Sequence, residues 1–313
     1  MIPAATTHKK KSLLIGTDRK SGLYSFLKII FEVTKVRITI LVAFTTSLGY
    51  ILAIQDLGSF SLYPVAGIFF LACGAAALNH YQERRSDLLM DRTKNRPIPS
   101  GTASAATVLI IAMSFLVLGS AVLLFKSNLL TFGIGLLTFF WYNAVYTPLK
   151  KVFSLAIIPG SLVGALPPVA GWVAAGGYVF DPKILLLAAF FFIWQIPHFW
   201  ILLLVYGKDY DKGGFPTLTN ILSNRQLMNI TFYWIILTIT VALSINFFDI
   251  INYYVTNIFL VIFCAWIFYQ SLKFVTSAGE NKVVKKMFIT INIFTLLIIT
   301  LLSLDKLVKL FLE

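Results

Sequence analysis

Nine apolar runs, each close to twenty residues long, divide most of this chain. They fall at approximately 38–55, 62–82, 104–125, 129–148, 153–175, 184–206, 228–248, 252–272 and 286–304. About twenty apolar residues in helical conformation cross the hydrocarbon core of a bilayer, and nine such runs cannot all be hidden inside one water-soluble core. Mean hydropathy is +0.84 and only 12% of residues are charged, against about 25% in soluble domains. The expected fold is an all-α polytopic membrane bundle, with little chain left over for a soluble domain. Cys73 and Cys264 lie inside apolar runs and read as small buried hydrophobes rather than as a disulfide or metal framework.

A net charge of +13 invites a nucleic-acid reading, but the placement of the bases gives a better one. Twenty-two of the 26 Lys and Arg fall in the segment before the first span and in the loops after the second, fourth, sixth and eighth spans. Only Lys126, Lys183, Lys306 and Lys309 fall on the other side. Under the positive-inside rule the N-terminus and the base-rich loops are cytoplasmic and the C-terminus is outside. The excess base is topology, and no nucleic-acid partner is expected. Residues 1–37 are expected to form a cytoplasmic arm, and 38–313 a single membrane domain. The arm lacks the compact core of a cleaved signal peptide. Its stretch SGLYSFLKIIFEVTKVRI mixes apolar and charged residues in the manner of an interfacial helix.

The dense polarity gathers at one side of the bilayer. Asn79, Glu83, Asp87 and Asp91 stand four residues apart, so on one helix they form a slanting stripe of oxygen ligands. Such oxygens suit Mg²⁺, which usually shares its shell with substrate phosphates. Arg84, Arg85, Arg92, Lys94 and Arg96 follow, and guanidinium groups match phosphate oxygens. Acids for a cation with bases beside them predict a diphosphate site. A second cluster, YGKDYDKGGFPTL, brings Lys208, Asp209, Asp211 and Lys212, then Gly213-Gly214. A third segment supplies Tyr142, Tyr146, Lys150 and Lys151. Within the sixth span, WQIPHFW sets His198 beside Phe199 and Trp200, which suits a large flat aromatic ligand. GSLVGALPPVAGW, ending at Trp172, offers small residues for close helix approach, and Pro167-Pro168 are expected to break that span locally.

The first cluster resembles the aspartate-rich motif of the UbiA-type intramembrane prenyltransferases: Asn, then acids at plus four and plus eight. MDRTKNRPIPSG, YTPLKKVFSLAIIPGSLVGALPPVAGW and WQIPHFWILLL…KDYDKGGFP are similar to the branch that farnesylates heme. The resemblance spans roughly residues 30–300. It implies helices around a central cavity, and transfer of farnesyl from farnesyl diphosphate to a vinyl group of protoheme IX (heme b), with Mg²⁺ as cofactor. It implies catalytic roles for Asn79, Glu83, Asp87, Tyr146 and Asp209. Arg92, Lys94, Arg96, Lys150, Lys208 and Lys212 would bind diphosphate. Glu83, Asp87, Asp91, Asp209 and Asp211 would serve the metal, and His198, Trp172 and Trp200 the heme. Position 83 is Glu where the family has Asp, Arg85 replaces a third Asp of many relatives, and Gly213 stands where the second motif has an acid. The implied location is a bacterial inner membrane, with product passed to a heme A synthase or terminal oxidase. Alternatives are a UbiA-type enzyme acting on a quinone precursor or other aromatic or tetrapyrrole acceptor, a transporter, and a non-catalytic heme-binding protein. The gathering of charge at one membrane edge disfavours the transporter, and the acids have no purpose in a non-catalytic heme carrier.

Overall fold

A computed structural model describes residues 19–277 and 279–313; residues 1–18 of the expected arm lie outside them. Ten main helices carry the architecture: α1 (Arg19–Val33), α2 (Val36–Ala53), α3 (Tyr63–Leu89), α4 (Ala105–Lys126), α5 (Leu129–Phe140), α6 (Leu162–Ala174), α7 (Pro182–Lys212), α8 (Asn224–Ser244), α9 (Tyr254–Thr276) and α10 (Asn281–Leu312). Among the described residues nine helical segments are long and apolar enough to cross a membrane, and they match the nine expected runs. Isoleucines, valines and phenylalanines such as Ile110, Val117 and Phe259 remain exposed on the outside, as a surface solvated by lipid requires. α1 precedes the first span and packs Val33, with Ile29 and Ile30, near Ala77 and Val108. Its Leu23, Tyr24, Leu27 and Phe31 are exposed.

Three helices outrun their apolar sequence. α3 continues through Gln82–Leu89, α7 through Gly207–Lys212, and α10 starts at Asn281. The polar extensions of α3 and α7 end near one another: both Asp209 oxygens accept backbone N–H groups, those of Asp91 and Arg92, at 2.7 and 3.1 Å. The bundle is drawn tight elsewhere by small residues. A Cβ on Gly49 would overlap the Pro168 carbonyl, and one on Gly171 would overlap the Thr46 carbonyl, so α2 and α6 touch backbone to backbone.

The expected break at Pro167-Pro168 does not occur. α6 runs through both prolines, and the interruption lies earlier, at Ser161 after the short turn Ile157–Gly160. The prolines instead leave the carbonyls of Val163 and Gly164 without helical N–H donors, and both residues line the cavity described below. A second departure from a simple helix is a π-helical stretch, Trp141–Tyr146, continuing α5. Such bulges shift the register of side chains and are frequent at functional sites; nothing in the sequence announced it.

Candidate functional site

α2, α3, α5 with its π-helical stretch, α6 and α7 enclose a cavity of about 570 Å³. Its deep wall is apolar, with Val42, Ile68, Leu71 and Phe139. Its head is charged, formed by Lys35, Glu83, Asp87, Arg92, Arg96 and Lys150. Buried charges persist only when paired or hydrogen-bonded, and the inward ones are, whereas Arg92 is exposed and lies over the rings of Tyr206 and Tyr210. One Arg96 nitrogen donates to both oxygens of the fully buried Asp87, at 2.7 and 2.8 Å. Lys150 forms an ion pair with Glu83 Oε1 at 2.5 Å, an oxygen that otherwise has no hydrogen-bond partner. Lys35 Nζ donates to Asn79 Oδ1 at 2.9 Å, and Asn79 Nδ2 donates to Thr147 Oγ1 at 3.2 Å.

The two lysines bordering the spans respond differently to these surroundings. Burial, then the positive charge of Arg96, lowers the Lys35 pKa to about 7, although Glu83 and Asp87 act the other way. Burial also works against the charge on Lys150, but the adjoining Glu83 carboxylate outweighs it and raises its pKa. Lys150 sits over the rings of Tyr146 and Phe215, at 5.4 and 5.6 Å from their centroids, within cation–π range. Tyr146 stacks on Tyr142 at 5.9 Å, and a Cβ on Gly160 would strike the Tyr146 ring. Phe215 reaches the cavity because Gly214 takes a positive φ of 75°, a conformation glycine adopts without steric cost.

The structure divides the expected site residues into two sets. Asn79, Glu83, Asp87, Tyr146, Arg92, Arg96 and Lys150 line one cavity. The five-acid metal set is not gathered, and no group of three or more metal-ligating side chains exists among the described residues. The stripe stops because α3 ends at Leu89, which leaves Asp91 exposed between Lys94 and Lys212, at 2.8 and 2.5 Å. Hydrogen bonds from Lys212 and Lys94 hold its carboxyl at a pKa of about 2. Asp209 is committed to the backbone clamp. Asp211 accepts from Thr217 Oγ1 and Asn220 Nδ2, at 2.9 and 3.0 Å. Lys94, Lys208 and Lys212 are exposed outside the cavity.

The expected heme contacts also move. His198 packs against Trp194 and Phe288, each at 5.0 Å between centroids, and does not line the cavity. Trp172 donates to the Tyr178 carbonyl at 3.1 Å and borders a separate hollow that also touches Lys306 and Lys309, near the other end of the bundle. Trp200 does not line the cavity and borders a side pocket of about 80 Å³ that shares Tyr146 and Lys150. The physical reason is rotational: neighbours on a helix point about 100° apart, and along this part of α7 the side chains turned to the cavity are those of Gln195, Phe199 and Leu202.

Of the cavity residues that sequence reasoning missed, four bear on the chemistry of the site. Lys35 was absorbed into the topological charge bias. Gln195, whose Oε1 is buried without a partner, fits because Gly164 has no Cβ. Phe215 was hidden behind the Gly-Gly turn. His80 was masked by its neighbour Asn79, although 80, 83 and 87 share the i, i+3, i+7 face.

Glu83 and Asp87, one turn apart in the cavity head, are two hard oxygen donors. A pair of carboxylates suits a divalent cation that completes its shell from substrate phosphates rather than from an all-protein cage. A helical membrane bundle around an apolar cavity with such an acid–base head can enclose a molecule that joins a long apolar part to an anionic head group. The chain belongs to the UbiA prenyltransferase family, whose model matches residues 42–292, and it is an integral membrane protein. It is 41% identical over 155 residues to the protoheme IX farnesyltransferase of Geobacter sulfurreducens, covering 50% of this chain and 57% of that protein. It is 34% identical over 182 residues to the enzyme of the same name from Oleidesulfovibrio alaskensis, covering 58% and 64%. The match thus spans less than two thirds of the length of these curated relatives. A UbiA homologue from Archaeoglobus fulgidus bound to GPP and Mg²⁺ has the same fold, with a TM-score of 0.61 at 15% identity, covering 88% of this chain and 99% of that one. A structure described with digeranylgeranylglyceryl phosphate synthase superposes with a TM-score of 0.71 at 15% identity, covering 90% and 98%.

Proposed function

We propose that this chain transfers the farnesyl group of farnesyl diphosphate to a vinyl group of protoheme IX, giving heme O. The observation that carries the chemistry is the pairing of Glu83 with Lys150 and of Asp87 with Arg96 at the head of an apolar cavity. The acceptor rests on the names of the curated relatives.

In this reading the farnesyl tail lies along the apolar wall and the diphosphate at the charged head. Glu83 and Asp87 would hold Mg²⁺, which supplies neutralisation of the leaving diphosphate. Lys35, Arg92, Arg96 and Lys150 bind the diphosphate oxygens and stabilise charge as it develops there. The allylic C1–O bond breaks and its electron pair leaves with the diphosphate. The terminal vinyl carbon bonds to C1, and the cation formed on the inner vinyl carbon takes water and loses a proton. Tyr146 and Tyr142 present ring faces beside the head, where they steady positive charge on C1. The apolar wall keeps water from that carbon until the vinyl group has reacted. Asn79 positions Lys35. Asp209 acts from outside the cavity by holding the 90–92 segment.

The same proposal puts the charged end of the bundle in the cytoplasm of a bacterium, with 1–37 as a cytoplasmic arm whose α1 lies on the membrane surface, the C-terminus outside, and residues 38–313 in one membrane domain. Product passes to an enzyme that oxidises heme O or to an oxidase that incorporates it. The test is mass spectrometry of heme from membranes containing the full chain, with and without farnesyl diphosphate and Mg²⁺. A hydroxyethylfarnesyl heme that needs both is expected. Prenylation of an added benzoate or naphthoate acceptor with no change in heme would overturn the assignment.

A further inference from the structure

His80 is the unexplained residue of the cavity. It is 2% exposed, it lines the cavity, and both Nδ1 and Nε2 are buried without a hydrogen-bond partner. Buried imidazole nitrogens left unsatisfied carry a desolvation penalty, so an occupant of the cavity is the natural partner. The head already carries an ample supply of N–H donors for a diphosphate in Lys35, Arg92, Arg96 and Lys150. What His80 adds is different: a neutral imidazole offers a nitrogen lone pair, the donor that iron takes most readily from protein. His198, the other histidine in a span, is packed among rings outside the cavity.

His80 lies three positions before Glu83, about 4.5 Å of helical rise, on the same face of α3. A planar tetrapyrrole held through its central metal at that depth would place its rim, which carries the reacting substituent, next to the diphosphate head. The apolar wall of Ile68, Leu71 and Ala76 suits the faces of such a ring.

Building on the function proposed above, we infer that His80 is an acceptor-binding residue that ligates the iron of the incoming heme through an imidazole nitrogen. The residue thereby fixes which edge of the ring faces C1 of the prenyl donor. No bond to carbon changes in this step: the imidazole lone pair occupies an axial position on the iron, and the bond is released with product.

The experiment uses the full chain in lipid nanodiscs, titrated with ferric heme b and followed by absorption and electron paramagnetic resonance. Wild type is expected to give saturable binding with the signature of a nitrogen axial ligand. His80→Gly is expected to lose that signature and to bind heme about tenfold more weakly, and free imidazole is expected to restore the signature. Metal-free protoporphyrin IX should bind wild type and His80→Gly equally, which also reports that the variant is folded. An unchanged heme spectrum in His80→Gly overturns the inference and leaves the farnesyltransferase reading standing. A weakened binding of farnesyl diphosphate with no spectral change overturns it in favour of a diphosphate contact. Absence of saturable heme binding by wild type overturns both.

Discussion

Glu83 and Lys150 show why the site is sensitive to single changes. Each is mostly buried, and each offsets the desolvation of the other. Lys150→Met leaves a carboxylate unpaired, a loss of about 3–5 kcal/mol for a buried pair. The double variant Glu83→Gln/Lys150→Met removes both charges, so thermal unfolding in detergent should return most of that stability while turnover stays absent. Recovery of activity together with stability would show that the pair is only structural. Lys35 gives a pH dependence. Its pKa of about 7 lies below the ordinary 10.5, so between those values an exposed, unfolded lysine binds more protons than the folded one. Fold stability contributed by Lys35 therefore rises with pH across that window. A bound diphosphate favours the ammonium form and draws the proton back. Calorimetry of an unreactive diphosphate analogue in buffers of different ionisation enthalpy should show proton uptake above pH 7 in wild type and markedly less in Lys35→Gln. At this scale the sequence was half legible. Asn79, Glu83 and Asp87 were found because helical spacing puts them on one face. Asp91 was misplaced because spacing does not say where a helix stops. His198 and Trp172 lie away from the cavity, which the motif could not show, because it names residues without saying which way each one turns.

Among elements, α2 and α6 meet backbone to backbone. Gly49→Ala or Gly171→Ala inserts a methyl against a backbone carbonyl, and overpacking of this kind costs about 1–3 kcal/mol. Gly133 has open space around its Cβ direction, so Gly133→Ala should be silent. Thermal unfolding of the three variants checks the contrast, and equal values would mean that the α2–α6 contact gives way without cost. Helix existence was easy to read because the bilayer fixes length and polarity. The π-helical stretch at Trp141–Tyr146 and the uninterrupted α6 were not legible. Both depend on where a displaced N–H or carbonyl finds an alternative partner or a cavity, which is a property of packing rather than of local sequence.

For the whole molecule, charge is sorted from end to end. The acids and bases of the cavity head, with the Asp91–Lys212 contact, lie at one end, and Lys306 and Lys309 near the other. The proposed orientation then has a direct test. Cys73 and Cys264 are buried, so labelling of introduced cysteines has a low background. Lys94→Cys should react with a membrane-impermeant maleimide only in inverted vesicles, and Leu312→Cys only in right-side-out ones; the reverse pattern inverts the topology. The two polar segments that the sequence sets more than a hundred residues apart meet through Asp209, and both of its donors are main-chain amides. A new side chain at 91 or 92 therefore leaves these two bonds in place, although it removes the Asp91–Lys212 ion pair or the Arg92 contact with Tyr210, and only proline, which has no N–H to give, breaks the clamp itself. Position 209 has no such freedom, because one carboxylate receives both amides.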